Sequence, residues 1–110
     1  MLIGADGYIK LTDFGLSRNN IVGDFVAHSV CGTPEYLAPE VLKKEGHGKA
    51  VDWWCLGSII YELINGMPPF MSKHHHQLYT KIKEDEPELN KNWSKNLRDI
   101  IPKLLAKDPE

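Results

Sequence analysis

Hydrophobic and polar positions change their spacing along the chain, and each spacing predicts a different kind of element. Near the N-terminus, the short β-branched and apolar runs 2–3 and 8–12 flank the tetrapeptide GADG. Asp6-Gly7 supplies the positive φ that a tight turn needs, so this pattern predicts a β-hairpin. Residues 16–30 have no sustained period and are rich in Asn, Gly, Asp and Ser. They predict an irregular loop, and its length of about fifteen residues favours a functional role.

The pattern after the loop predicts helices. Pro39 stands where a first helical turn tolerates proline, which predicts a short helix over 38–42. Residues 51–65 are apolar almost all the way round. They therefore predict a core helix that is buried on every side and ends at Gly66. This run also contains Asp52 and Glu62, and it is shorter than the ~20 apolar residues of a membrane span.

Two further helices carry a single apolar stripe each. Ser72 is the predicted N-cap of the first, and Ser94 is the predicted N-cap of the second. Pro102 lies inside the second helix, where it removes a backbone donor, so we expect a kink there. The apolar positions that form the two stripes are Leu78, Tyr79, Ile82, Leu97, Ile100, Ile101, Leu104 and Leu105.

Composition narrows the class of protein. The 110 residues are 42% hydrophobic and 25% charged, with a net charge of −2, which is typical of one soluble globular domain and excludes a basic nucleic-acid-binding footprint. Cys31 and Cys55 have neither metal-ligand nor disulfide-framework spacing, which favours reduced thiols in the cytoplasm or nucleus. The first ten residues lack the basic start and apolar core of a secretion signal.

Three motifs in a fixed order carry a family resemblance. Asp-Phe-Gly at 13–15 is followed by CGTPEYLAPE at 31–40 and by DWWCLG at 52–57. From Met1 to Glu110 the chain resembles serine/threonine protein kinases of the AGC group. The resemblance implies an α+β fold: a partial kinase domain over 1–110, made of a short N-terminal β-hairpin, an activation segment and a mostly helical C-terminal lobe.

By this resemblance, Asp13 holds Mg²⁺ on the β- and γ-phosphates of ATP, since hard cations take oxygen ligands. Phe14 would pack inward, Gly15 would give the backbone its bend, and Leu2 would lie under the adenine ring, with Thr12 beside the nucleotide. The alternative is a plain hairpin in which Asp13 caps a turn.

The loop residues acquire regulatory and substrate roles by the same resemblance. Ser29 stands at the activation-loop phosphorylation position, where an upstream activating kinase would act, and Arg18 would bind the phosphate. The alternative is that both side chains are simply solvated. Thr33 would hydrogen-bond the catalytic-loop acid. The residues that would line the pocket for protein substrates, next to the target hydroxyl, are Val30, Cys31, Gly32, Thr33 and Pro34.

By the resemblance, acidic side chains would bind basic residues of the substrate and stabilise the fold. Glu62 and Glu35 match acids that receive arginines upstream of the target residue, although Glu62 could instead point into solvent. Asp52 would anchor the catalytic loop from the core helix, because a buried carboxylate needs donors. Trp54 and Gly57 would allow close packing around it, and Glu40 would pair with an arginine beyond Glu110. Adjacent histidines at 74–76 point in different directions, which disfavours a metal site.

Residues 1–110 contain no Gly-rich loop, no strand lysine with a helix glutamate, and no His-Arg-Asp stretch. We therefore expect these residues alone to be inactive, with serine/threonine phosphotransfer as the parent activity. The upstream helices that would cover residues 52–65 are also missing, so part of this helix should be exposed, with dye binding and poor spectral dispersion. The alternative function is a non-catalytic interaction module derived from a truncated lobe.

Overall fold

A computed structural model of the chain describes residues 1–19, 32–44 and 46–108, and it has the predicted α+β composition. Strands β1 (Leu2–Ile3) and β2 (Ile9–Lys10) form an antiparallel pair in which Leu2 lies opposite Lys10 and Ile3 opposite Ile9. A 3-10 helix at Pro34–Tyr36 precedes helices α1 (Pro39–Lys43), α2 (Ala50–Asn65), α3 (His75–Glu84) and α4 (Lys95–Leu104). None of these helices combines the length and apolar character that a bilayer span requires, within the residues described.

The N-terminal hairpin is confirmed, with shorter strands than the 8–12 run predicts. Its turn is closed by the Gly7 N–H donating to the Gly4 carbonyl at 2.9 Å and by the Gly4 N–H donating to the Tyr8 carbonyl at 2.8 Å. Gly7 has φ 81°, a left-handed conformation that glycine adopts without steric cost. None of residues 1–19 is buried, so the hairpin stands outside the core.

Helix α2 has a buried face and an exposed face. Trp54, Gly57, Ser58 and Tyr61 recur at helical spacing and are all buried. On the other side Trp53 is 61% exposed and Leu63 is 73% exposed, along with Leu56 and Ile64. Burial on every side is therefore wrong for this chain, because no described element covers that face, and the expected partial exposure is confirmed. The helix ends as predicted at Gly66 (φ 82°), whose N–H donates to the Glu62 carbonyl.

The core forms where α2 meets the later helices. Helix α2 packs against α4, α1 packs against α3, and the 3-10 helix lies against both α2 and α3. Trp54 stacks on Phe70 with ring centroids 6.0 Å apart, and Tyr61 meets Trp93 edge-on at 5.2 Å. The fully buried aliphatic side chains between the helices are Leu78, Ile82, Ile101 and Leu105.

The two predicted N-caps have different outcomes. Ser94 is confirmed, because its Oγ accepts a hydrogen bond from the Leu97 N–H at 3.2 Å. Ser72 is wrong as a cap: α3 begins at His75 with His74 as its N-cap residue. The Ser72 hydroxyl instead accepts from the His74 N–H at 3.3 Å and donates to Gln77 at 2.9 Å, so it closes the turn before the helix. Helix α4 continues through Pro102, where a kink stays a prediction.

Gly57 sets how closely α2 approaches α4. A Cβ atom at this position would lie 2.7 Å from Leu104 Cβ and 3.1 Å from Leu105 Cδ2. These distances are shorter than van der Waals contact, and both leucines belong to the packed junction between the helices. The close approach of α2 and α4 therefore requires the absence of a side chain at Gly57, whereas the close packing predicted around Asp52 is not formed, because Asp52 is exposed.

We expect Gly57→Ala to destabilise the protein. Forcing a methyl group into a packed core costs about 1–3 kcal/mol, against a gain of about 1 kcal/mol from the better helix propensity of alanine. Thermal unfolding of the two forms measures the difference. Gly48→Ala is the control, since a Cβ there meets no atom within 4 Å. Equal melting temperatures for Gly57→Ala and the parent protein would contradict the assigned close contact.

Candidate functional site

Asp13 has an unusual backbone conformation. Its φ is 63°, which places a non-glycine residue in the left-handed region. One carboxylate oxygen, Oδ1, accepts from the Gly15 N–H at 3.4 Å. The other oxygen accepts no hydrogen bond within the residues that the structure describes. The turn-capping interpretation therefore describes the local geometry, while one oxygen stays available for a further ligand.

The Asp-Phe-Gly motif has two irregular positions: Asp13 has a left-handed backbone, and Gly15 forms with Leu16 the turn between Phe14 and Ser17, so the bend predicted at Gly15 is present. Gly15 is absent from the left-handed glycines among the described residues. An Asp side chain tolerates this conformation because it bonds its own backbone two residues on. A Cβ on Gly15 would come within 3.3 Å of Asp13 Oδ1, so glycine leaves room for that carboxylate.

The predicted nucleotide surface is open in this chain. Phe14 is 67% exposed, so it does not pack inward as the resemblance implies. Leu2 is 64% exposed, and its place under an adenine ring stays a prediction. Thr12 is exposed beside them. The physical reason is that no described element of the chain lies over the hairpin, and an apolar side chain buries itself only against a partner surface. The Phe14 carbonyl instead closes a turn, accepting from the Ser17 N–H at 3.0 Å and from its hydroxyl at 2.6 Å.

The activation-loop residues are only partly described. Arg18 is exposed on the surface. Ser29, Val30 and Cys31 lie outside the described residues, so the phosphate-binding role of Arg18 and these pocket residues stay predictions. The residues after them are described: Gly32 has φ 118°, a conformation that L side chains rarely adopt, and it leads directly into the 3-10 helix.

The 3-10 helix brings together the predicted substrate residues that follow Gly32. Thr33 is its N-cap residue, and its carbonyl accepts from the Tyr36 N–H at 3.1 Å. Its side chain makes no capping hydrogen bond. Pro34 and Glu35 form the first turn and are partly buried. The segment thus presents Thr33 at the surface while its other side rests on α2 and α3.

Tyr36 ties this segment to Glu62, a contact that the sequence did not predict. The Tyr36 hydroxyl donates to Glu62 Oε2 on α2. Cys55, two turns nearer the start of α2, donates its thiol to the Tyr36 carbonyl at 3.5 Å. The alternative in which Glu62 merely points into solvent is therefore wrong. No local sequence pattern indicates this hydrogen bond, because its two residues are 26 positions apart in the chain.

The charge of Glu62 affects the titration of Tyr36. The hydrogen bond to Glu62 raises the pKa of Tyr36 to about 12, with smaller contributions from burial and from the negative charges of Glu62 and Glu35. Burial, together with Asp52 and Glu40, also raises the pKa of the Cys55 thiol above its ordinary value. Both side chains are therefore neutral hydrogen-bond donors at neutral pH.

The resemblance assigns structural roles to four residues, and they lie on α1 and α2: Glu40, Asp52, Trp54 and Gly57. Trp54 is 3% exposed and its indole Nε1 has no hydrogen-bond partner among the described residues. Asp52 is exposed, so the prediction of a buried, donor-dependent carboxylate is wrong for this chain: water solvates it. Glu40 lines an open cleft of about 260 Å³, together with Ala50, Trp53, Trp54, Lys103, Leu104, Ala106 and Asp108.

The described residues offer few side chains that could bind a metal ion. Within 1–19, 32–44 and 46–108, no three His, Cys, Asp or Glu side chains cluster to hold an ion, and His74–His76 are no exception. Asp13 nevertheless fits a Mg²⁺ ion that is shared with phosphates, because Mg²⁺ is usually held by one or two carboxylates and completes its shell with phosphate oxygens and waters. The available oxygen of Asp13 suits such a role.

A titration tests the link between Tyr36 and Glu62. We expect Tyr36 to stay protonated at about pH 11 in the parent protein, and Glu62→Gln to lower its pKa toward the ordinary tyrosine value. Because the folded-state pKa is raised, the stability from this bond is present below about pH 10 and is lost as the pH rises towards 12. The Cζ chemical shift of ¹³C-labelled tyrosine measures the pKa. An unchanged Tyr36 titration in Glu62→Gln would refute the bond.

Comparisons with known proteins agree with these motifs. The family model described as "Protein kinase domain" matches residues 1–110. The serine/threonine-protein kinase sgk-1 of Caenorhabditis elegans is 47% identical over 108 residues, which cover 98% of this chain and 23% of that protein. Sgk1 of Homo sapiens and Sgk1-B of Xenopus laevis are each 44% identical over 108 residues, covering 98% of this chain and 25% of theirs.

The chain thus spans about a quarter of the length of the curated relatives it matches. The family match, by contrast, covers every residue from the hairpin to the end of the chain. The chain belongs to the protein kinase domain family, and its relatives are serine/threonine kinases of the AGC group.

Proposed function

We propose that the chain is the C-terminal-lobe portion of a serine/threonine kinase that transfers the γ-phosphoryl group of ATP to protein substrates with basic residues upstream of the target hydroxyl. The observation that carries this proposal is the hydrogen bond from Tyr36 to Glu62. It holds a carboxylate of the core helix beside the segment that begins with Gly32 and Thr33. A carboxylate fixed next to a substrate-binding segment is a suitable acceptor for an arginine side chain.

In this proposal, Asp13 acts at the phosphate groups of ATP. Mg²⁺, when bound with ATP, neutralises the charge that develops on the transferred phosphoryl group. The left-handed backbone of Asp13 and its bond to the Gly15 N–H hold one carboxylate oxygen, and the second oxygen has no hydrogen bond within the residues described. A non-glycine residue in this region costs of order 1–3 kcal/mol, and such strain is often found at functional sites.

Residues 1–110 on their own do not turn over ATP in this proposal. They lack a His-Arg-Asp general base and a lysine that orients the phosphates. General-base loss alone costs 10²- to 10⁴-fold, and lost positioning costs more. Catalysis therefore belongs to the natural polypeptide that carries this sequence together with those groups. Phosphorylation of Ser29 by an upstream kinase would order the loop through Arg18.

A non-catalytic interaction module is the second candidate. The observation that favours it is the exposed apolar surface at the end of α2 and in the loop after it, formed by Leu63, Ile64, Met67 and Met71. Exposed patches of this kind are typical of protein-binding surfaces. Such a module would have no use for the Asp13 carboxylate, so one substitution separates the two candidates.

We expect Asp13→Asn to lower the kinase activity of the natural polypeptide at least about a hundredfold, since a misplaced metal-phosphate unit typically costs that much. Asparagine tolerates the left-handed region and the same turn bond, so the fold is preserved. The measurement is phosphoryl transfer from ATP to a serine peptide with upstream arginines.

Asp6→Asn is the matched control. Asp6 is also exposed, and its Oδ1 accepts from the Tyr8 N–H two residues on at 3.2 Å. It thus shares with Asp13 the bond from a carboxylate to the amide two residues on, without the left-handed backbone or the assigned role, and this variant should keep full activity. Equal activity of the two variants would refute the role of Asp13 and favour the interaction module. Robust phosphoryl transfer by residues 1–110 alone would refute the proposed inactivity of this portion.

A further inference from the structure

Lys107, just after α4, is placed differently from the other lysines of the described chain. Its ammonium lies 4.1 Å from the ring centroid of Phe70 and 5.1 Å from that of Trp54. It also donates to the Ile82 carbonyl at 2.9 Å. Each of these three partner residues has at most 3% of its surface exposed. One cation therefore sits at the edge of the core, where two aromatic faces and a carbonyl replace water.

The three partners come from different parts of the fold. Trp54 belongs to α2, Ile82 belongs to α3, and Phe70 lies in the connection between these two helices. Lys107 follows the last residue of α4 by three positions. A single side chain thus joins the end of α4 to both α2 and α3, at the open end of the core.

The physical basis of this junction is electrostatic. An ammonium group loses hydration when it is buried, and burial lowers the pKa of Lys107, while the negative charges of Glu86 and Asp85 oppose this effect. The attraction of a desolvated cation to aromatic faces and its bond to a carbonyl compensate for the lost hydration. A neutral side chain of the same length would fill the space without these attractions.

Two other lysines show how specific the arrangement is. Lys81 also donates to a backbone carbonyl, that of Met71 at 3.1 Å, but at an exposed position and without an aromatic ring. Lys103 pairs with Asp99 within α4, with both side chains about two-thirds exposed. Exposed contacts of these kinds contribute little to stability, whereas the Lys107 contacts lie against buried groups.

The segment held by Lys107 also forms part of a surface cleft. Its neighbours Ala106 and Asp108 line the cleft that contains Glu40. Glu40 belongs to α1, which directly follows the 3-10 helix and Leu37. The position of residues 106–108 therefore determines one wall of the cleft that contains Glu40.

We propose that Lys107 is a charge-dependent latch, whose ammonium holds residues 105–108 against α2 and α3 and whose neutralisation releases this segment and opens the Glu40 cleft. The inference is independent of the kinase activity proposed above, because it concerns the coupling of helix ends. The latched state is the one observed. The released state keeps the contact between Gly57 on α2 and Leu104 on α4, and it loses the contacts made by residues 105–108, which follow α4.

Hydrogen exchange measured by mass spectrometry on the natural polypeptide tests the latch. Two backbone bonds report on it: the Leu105 N–H donates to the Ile101 carbonyl at 3.0 Å, and the Asp85 N–H donates to the Lys81 carbonyl at 2.9 Å. Lys107→Met keeps the length of the side chain and removes its charge. We expect both amides to exchange about tenfold faster in this variant, because the free energy of local opening falls by about the energy of a desolvated cation–π contact. In Lys107→Arg they should stay within about threefold of the parent, since guanidinium also binds aromatic faces.

Lys81→Met is the matched control, because it removes an ammonium–carbonyl bond at an exposed site. It should leave the exchange of Leu105 unchanged. Amides of residues 57–61 in α2 serve as the internal reference for global unfolding and should not change in any variant. The proposal is overturned if Lys107→Met exchanges like the parent, if Lys107→Arg opens as far as Lys107→Met, or if residues 57–61 open to the same extent as Leu105.

Discussion

The contact between α2 and α4 at Gly57 is the constraint on which the rest of the described structure depends. Leu104 and Leu105 approach the α2 backbone so closely that a single methyl group would not fit. This contact fixes the rotation of α2 about its own axis. A helix advances 100° per residue, so residues that differ by seven positions return to nearly the same face. Cys55 and Glu62 are such a pair, and they lie roughly opposite Gly57.

The fixed rotation of α2 explains how a structural helix also serves the candidate site. Its inner face is buried against α4 and the aromatic residues around Trp54, while Cys55 and Glu62 both reach Tyr36 on the other side. One of these contacts holds the backbone of the 3-10 helix and the other holds its tyrosine side chain. The substrate segment is thus positioned by the core through two hydrogen bonds. Asp13 is positioned separately, by its bond to the Gly15 N–H in the segment that follows the hairpin.

Much of the local structure could be predicted from the sequence because it depends on short-range chemistry. The hairpin follows from Gly7, the end of α2 from Gly66, and the start of α4 from Ser94. In each instance one residue type satisfies a requirement of the backbone within a few positions. Ser72 shows the limit of this reasoning, because a hydroxyl next to a helix can bond the preceding turn as well as the first helical amides.

Features that depend on distant parts of the chain could not be predicted in the same way. The bond from Tyr36 to Glu62 joins residues of two elements whose packing no local pattern reveals. The exposure of Phe14 depends on what lies over the hairpin, which the residue itself does not specify. At the Asp-Phe-Gly motif, the bend at the glycine could be predicted, but the left-handed backbone of the aspartate could not, although its side chain bonds the amide two residues on.

We propose that α2 presents Glu62 beside residues 32–36 as the acceptor for an arginine upstream of the target residue. The most direct measurement is kcat/KM of the natural polypeptide and its Glu62→Gln variant on two peptides that differ only in upstream arginine or alanine. We expect Glu62→Gln to lower kcat/KM about ten- to a hundredfold on the arginine peptide, the size of a charge-assisted hydrogen bond, and to leave kcat/KM on the alanine peptide unchanged. An arginine preference that survives in Glu62→Gln would contradict it.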